Sequence, residues 1–468
     1  MKPQLGVMLV AGLFAAASNG GDLRGAEPDV RFMIVDPGHF HAGLVQKEMY
    51  PDVAKRVDVF APLGPDLVDH LNRIAAFNRR AEKPTSWEVE VHTSPDFFER
   101  MLANPPGNVV ILSGRNRTKI DRIVRSVGAG LHVLADKPWI LKSEDLPKLE
   151  QALAEADANG RAAYDIMTER FEVTNSLQRA FVSDKATFGE TVAGSVAEPG
   201  VYMESVHYLK KVVAGVPNIR PSWFFDNSEQ GEGLNDVGTH LVDLVQWTLF
   251  PNQSLNRSDV EVIAAQRWPT VIPEAEFRTV TNAPKFPENL AGSVKDGQLE
   301  YYANTLVSYT VRGIHTKLNV IWDWEPAAGG GDTHFAFYRG NRSKIEIRQT
   351  RADRYQPQLY IVPNTPALKA DVLAAVRAKV ASLQSEYSGI AVADQGSEIK
   401  IEIPDKFRVG HEAHFAEVTT SFLKYLRSKG TMPAWERPNM ITKYFVSTKG
   451  TELSRVGAPK VAPRIAPQ

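Results

Sequence analysis

The sequence predicts a parallel α/β domain followed by a β-rich one, and two observations carry this. Up to Phe171, short apolar strands alternate with helical or turn segments, the pattern of a parallel sheet with right-handed crossovers. From Gly189 onward β-rich runs crowd together, and Gly340-Asn341 between two of them reads as a hairpin turn.

Arg31 to Val35 is a first apolar strand, followed at once by Asp36-Pro-Gly-His-Phe-His41 and the helical stretch Leu44 to Met49. Strand, tight turn and helix in that order open a dinucleotide-binding fold. Val57 to Phe60, Glu88 to His92 and Asn108 to Ser113 continue the strand series, and Asp66 to Glu82 is a charged helix inserted between Pro62 and Trp87. A helix stopped by Gly130 precedes a short buried strand, Leu131 to Ala135. After the helix Pro147 to Gly160, a last strand, Ala162 to Met167, ends in Thr168-Glu-Arg-Phe171, where the domain boundary falls. The β-rich runs beyond it are Thr191 to Val196, Thr305 to Val311, His315 to Trp324, Phe335 to Arg339 and Lys344 to Arg348. The helix His411 to Arg427 is expected to pack back on that second sheet.

Composition bounds the function. With 43% hydrophobic residues and a net charge of −1, the chain is an ordinary globular protein and no electrostatic nucleic-acid binder. Lys2, an apolar run from Leu5 to Ala17 and polar Ser18-Asn19-Gly20 have the layout of a secretory signal peptide, with cleavage after Ala17 or Ala26. The run is too short to span a bilayer comfortably, so no membrane association is expected after processing. The alternative is a buried N-terminal helix of a cytoplasmic protein. Without cysteine there is neither a disulfide nor a lipid anchor. The expected division is a leader over 1–26, a dinucleotide-binding domain over 27–171, a second domain over 172–450 and a loose tail over 451–468, with the protein periplasmic or secreted.

Two motifs carry the chemistry. In Gly231-Glu-Gly-Leu-Asn-Asp236-Val-Gly-Thr-His240 a glycine-rich loop becomes a helix, and the four-residue spacing points Asp236 and His240 the same way. Leu241, Leu244, Val245 and Thr248 form a separate, mainly apolar face to be buried. Taken alone, such a pair is more often a helix cap and a packed histidine. The second motif, Asp136-Lys137-Pro138, sits at the carboxyl end of a strand, where open α/β sheets bind ligands.

Together these motifs resemble the glucose-fructose oxidoreductase and inositol dehydrogenase (Gfo/Idh/MocA) family, which has Glu-Lys-Pro at the place of Asp136 to Pro138 and an Asp-x-Gly-x-His helix at that of Asp236 to His240. The resemblance implies a Rossmann-like domain, then a large, mostly antiparallel sheet, with room for a homo-oligomer built through it. It further implies a nicotinamide cofactor, NAD favoured over NADP, held by Gly38, His39, Phe40, His41, Ser113, Asn116 and Asp136 to Pro138. Lys137 would reach cofactor and substrate, His240 would act as acid/base, and Asp236 would anchor a hydroxyl or orient the histidine. Arg170, Tyr208 and Trp223, with Asp236, are the expected sugar contacts, Arg170 being equally suited to a structural role.

The chain also departs from the family. The Gly-x-Gly-x-x-Gly fingerprint keeps only its middle glycine, Gly38, and the second strand ends in Phe60-Ala61-Pro62 with no acid for a ribose. His39 and His41 have metal-ligand spacing but no third ligand is evident nearby, and His411 and His414 are three apart where a zincin needs four, so no metal is expected. The expected function is oxidation of a sugar or glycoside hydroxyl by an exported enzyme. A redox-neutral lyase, hydrolase or epimerase working through a transient ketone, and a non-catalytic carbohydrate-binding protein, stand as alternatives.

Overall fold

The computed structural model describes residues 29–213, 216–428 and 432–456. The expected leader lies outside them, as does the tail from residue 457.

The first domain is built on β1 (Phe32–Val35), β2 (Arg56–Ala61), β3 (Glu88–Thr93), β4 (Val109–Leu112), β5 (His132–Ala135) and β6 (Ala163–Asp165). All pair in parallel in the order β3-β2-β1-β4-β5-β6. Helices α1 (His41–Val45), α2 (Pro65–Arg79), α3 (Phe97–Ala103), α4 (Lys119–Gly128) and α5 (Leu146–Ala158) make the crossovers. The central strands β1, β4 and β5 are buried end to end, as strands covered on both faces must be, whereas β3 at the edge alternates charged and apolar residues. Strand order reverses between β1 and β4, and the crevice at their carboxyl ends is where such sheets bind ligands.

After α6 (Val173–Val182) come β7 (Val201–Tyr208), a small pair β8 (Val212–Val213) and β9 (Val216–Pro217), α7 (Val237–Leu249), β10 (Val260–Pro273), α8 (Glu274–Thr281), β11 (Val294–Lys295), β12 (Gln298–Val311), β13 (Ile314–Asp323), β14 (Thr333–Arg339), β15 (Ser343–Gln349), β16 (Gln358–Pro363), α9 (Lys369–Ser382), β17 (Ala391–Asp394) and β18 (Ile399–Glu402). Ten of these strands form one sheet in the order β10-β12-β13-β7-β14-β15-β16-β18-β17, with β11 paired to β12. Only β13 and β7 run parallel within it. The face of this sheet that carries Met203, Leu318 and Val320 buries Leu241, Val242 and Val245 of α7. The expected strand Thr191 to Val196 is instead a loop held by two isolated bridges, from Thr191 to Gly340 and from Gly194 to Pro199.

The C-terminal helices, α10 (His411–Arg427) and α11 (Glu436–Val456), correct the expected division. Phe415, Val418, Phe422 and Leu423 of α10 share a core with Phe32, Val57 and Tyr164, so α10 packs on the first domain and not on the large sheet. Met440 and Tyr444 of α11 complete the opposite core with Met33, Val133 and Trp139, while α11 also lies against α7 and β10. The tail expected to be loose from residue 451 is helical to Val456.

Candidate functional site

A cleft of about 1710 Å³ runs between the two domains, lined on one side by the turn after β1 and by Lys137, on the other by the start of α7 and the floor of the large sheet. Backbone geometry brings the two motifs together. The Lys137–Pro138 peptide is cis. Opposite it, Gly233 lies so close to the Ala303 carbonyl that a Cβ would approach within 1.9 Å, so only glycine lets this loop carry Asp236 to the cleft wall.

Lys137 and Asp236, 99 residues apart, form a buried ion pair. Burial opposes both charges, but each outweighs that cost for the other: Lys137 is raised above the usual lysine range and Asp236 is held down to about 2. Asp236 stands at the N-cap of α7 yet makes no side-chain capping bond, so the capping alternative falls away. One turn on, His240 lines the same cleft, and its buried Nδ1 has no hydrogen-bond partner among the described residues. Burial, aided by the Lys137 cation, pushes this imidazole down to about 4, so it is a neutral proton acceptor at ordinary pH. The site thus holds a charged donor and a neutral base side by side.

At the turn after β1, Gly38 lets two side chains press on the backbone; a Cβ there would stand 2.9 Å from the Asp66 carboxylate and 3.1 Å from the Trp223 indole. Trp223 Nε1 donates to Asp66 at 2.9 Å, and Arg115 pairs with Asp66 at 3.2 Å and lies over the indole. Trp223 thus lines the cleft with its indole N–H bound to Asp66 beside this turn. Asp66, in the first turn of α2, puts a carboxylate on the cleft wall close to the end of β2. Asp36, the substituted first glycine, is neutralised by Arg122 at 2.6 Å. Phe40 lines the cleft beneath Arg73.

Other expected contacts lie elsewhere. Asp136, Ser113 and Pro138 are buried behind the cleft wall. Asn116 ties the domains together, its amide donating to the Gln230 carbonyl at 2.8 Å and its backbone N–H to that of Glu229. Arg170 grips Asp243 through two bonds of 2.6 and 2.7 Å and Glu436 through a third of 2.7 Å, and Lys443 joins Asp243 to Asp165 within the same buried network. It is a clamp between helices and no cleft residue. Tyr208 faces away from the cleft, toward a smaller pocket on the other face of β7.

Its neighbour His207 is the cleft residue. Ser205 Oγ and His207 Nε2 are 2.8 Å apart, and His207 Nδ1 and Asp332 Oδ2 3.1 Å, forming a polar row on the sheet floor. Alternation along β7 puts Ser205 and His207 on one face. Glu169 and His411 add a second acid–imidazole pair at 3.1 Å in the same cleft. Asp332 and His411 come from distant loop and helix ends, so no local sequence signal marks them as partners.

The family described as "Putative oxidoreductase C terminal domain" matches residues 177–455. A solved "putative oxidoreductase" from Parabacteroides merdae is 43% identical, with 92% of this chain and 99% of that one covered and a TM-score of 0.90. Levoglucosan dehydrogenase, solved with NADH and L-sorbose, shares the fold at 12% identity over 91% of this chain and 97% of its own, with a TM-score of 0.57. The 3-ketoreductase KijD10 from Actinomadura kijaniata, solved with NADP and TDP-benzene, does so at 14% identity, 92% and 98% coverage and a TM-score of 0.52. Comparison with curated proteins returns no match.

Proposed function

Because the chain belongs to the Gfo/Idh/MocA family of oxidoreductases, we propose that its cleft oxidises a hydroxyl of a sugar or glycoside with a bound nicotinamide dinucleotide, outside the cytoplasm. The observation that carries this reading is the convergence of Lys137, Asp236 and His240 on one cleft at the carboxyl edge of the parallel sheet. The relatives named for sugar chemistry, levoglucosan dehydrogenase and a 3-ketoreductase, support the substrate class.

The chain's residues fit the cofactor. Gly38 lets Asp66 approach the turn, and a carboxylate at that place suits a pair of ribose hydroxyls, which favours NAD over NADP. A bound nicotinamide ring supplies the hydride acceptor. His240 takes the hydroxyl proton, Lys137 donates to the same oxygen, and Asp236 holds the ammonium and accepts from a neighbouring hydroxyl. Ser205, His207 and Asp332 offer hydrogen bonds to hydroxyls farther along the floor.

The pair Glu169 and His411 favours a second, redox-neutral version, since elimination or epimerisation beside a transient ketone needs a second base to remove a C–H proton. An enzyme cut off from fresh NAD would gain by recycling it. Incubating the purified protein with candidate glycosides in deuterated water tests this. Solvent deuterium beside the oxidised carbon, with no net NADH, is the expected result; stoichiometric ketone with no deuterium and no cleavage would leave simple oxidation. Absence of any turnover in a protein that also holds no dinucleotide would favour a carbohydrate-binding module.

A further inference from the structure

The turn that replaces the glycine fingerprint gathers three metal-ligand groups. His39 Nδ1 and His41 Nδ1 each lie 2.9 Å from the same oxygen, Oδ2 of Asp136, and the two rings are 3.9 Å apart. We propose that His39, His41 and Asp136 form a binding site for one divalent transition-metal ion, with its remaining positions open to the cleft that both histidines line. The assignment rests on these side chains alone and stands or falls separately from the oxidoreductase reading.

The distribution of contacts around Asp136 argues for it. Oδ2 takes both imidazoles and the Ser113 hydroxyl at 3.2 Å, whereas Oδ1, equally buried, has no partner among the described residues. A carboxylate held by hydrogen bonds alone gains by sharing its donors between both oxygens. Convergence of two imidazole nitrogens on one carboxylate oxygen puts three ligand atoms around a single point that a cation can take, and the bare Oδ1 is available as a second donor to it. Metal–nitrogen and metal–oxygen bonds of about 2.0–2.2 Å put neighbouring ligand atoms roughly 3 Å apart in octahedral and about 3.4 Å apart in tetrahedral geometry, so the 2.9 Å spacings need open by no more than about half an ångström. Two imidazoles and a carboxylate suit Zn²⁺, Fe²⁺, Co²⁺ or Mn²⁺ better than Ca²⁺ or Mg²⁺. Three protein ligands leave room for water or for substrate oxygens, as in reactive rather than structural sites.

The sequence offers the pair His39-x-His41 but not its third member. Asp136 is 95 residues beyond His41, and only the pairing of β1 with β4 and of β4 with β5 brings the two ends together.

The test is metal binding by the full chain after treatment with a chelator. Titration with Zn²⁺ should give one tight site per chain, and Co²⁺ should produce visible absorption bands and paramagnetically shifted imidazole resonances. His39→Ala and Asp136→Asn should weaken Zn²⁺ by about a hundredfold or more, since even residues behind a metal's ligands cost 10–100-fold. His92→Ala, in a separate cluster with Asp58 and Glu90, should leave the affinity unchanged. No Zn²⁺ uptake by the wild-type chain, or uptake that His39→Ala leaves intact, would overturn the proposal. Should either variant fail to fold, the wild-type Co²⁺ complex decides: absence of shifted imidazole resonances contradicts the site.

Discussion

At the scale of single residues, the division of labour between Lys137 and His240 follows from their surroundings. Lys137 faces a carboxylate and is charged; His240 has burial and a cation against its charge and is neutral. Replacing either with alanine should lower turnover by about a hundredfold or more, the effect of losing a positioned acid or base. Stability should separate them. Lys137→Ala leaves Asp236 buried without its partner, at a cost of about 3–5 kcal/mol, whereas His240→Ala leaves no stranded charge. Since His240 titrates at about 4 and must be neutral to accept a proton, kcat/KM should stay level from neutrality down to about pH 5 and fall below it, in assays short enough to precede acid unfolding. An acid limb near 6.5 would mean that His240 is solvated and not buried. The residues legible in the sequence were those whose meaning is local: Asp136-Lys137-Pro138 at a strand end, and Asp236 with His240 one helical turn apart. Tyr208 illustrates the failure, since neighbours in a strand face opposite ways and a one-residue difference exchanges cleft for outer face. Asp66, Asp332 and the third partner of His39 and His41 depend on chain returns that no short pattern encodes.

Elements were legible where their own periodicity declared them. The strands of the first domain and the helix α10 fall close to their expected spans, because buried parallel strands and an apolar helical stripe are local patterns. The surface on which a helix docks is not local. Phe415, Val418, Phe422 and Leu423 announce a buried stripe, but nothing in their spacing distinguishes the first domain's sheet from the second's, and α10 takes the former. The same holds for Arg170, read as either substrate contact or clamp until α7 and α11 bring Asp243 and Glu436 to it. Arg170→Ala should therefore cost about 3–5 kcal/mol by stranding the buried Glu436 carboxylate, Asp243 keeping Lys443. KM should not change in the protein that remains folded. Arg170→Lys should rescue poorly, because an ammonium cannot reproduce the two-point grip on Asp243. A raised KM with unaltered stability would return Arg170 to the cleft.

For the whole molecule, buried histidines tie stability to pH. His70, His132, His240, His334 and His414 are each pushed down to about 4, with burial the leading cause. His132 shows the consequence structurally: its Nδ1 accepts the Ala162 N–H at 2.9 Å, which protonation would break. The unfolded chain takes up protons near 6.5 and the folded chain only near 4, so the stability these groups confer is complete above about pH 6.5 and is lost as pH falls toward 4. The melting temperature should decline across that window, ahead of carboxylate titration; a flat profile down to pH 4.5 would contradict the burial of these rings. At the domain scale, α10 returns to the first domain, and α11 packs on it and on α7 and β10 of the second, tying the two halves together around the cleft. The central claim is that this cleft works with a nicotinamide dinucleotide, and the most direct measurement is to denature the purified protein and identify by mass spectrometry whatever small molecule is released. The account predicts close to one NAD per chain; release of none, together with no binding of NAD or NADP by calorimetry at millimolar concentration, would contradict it.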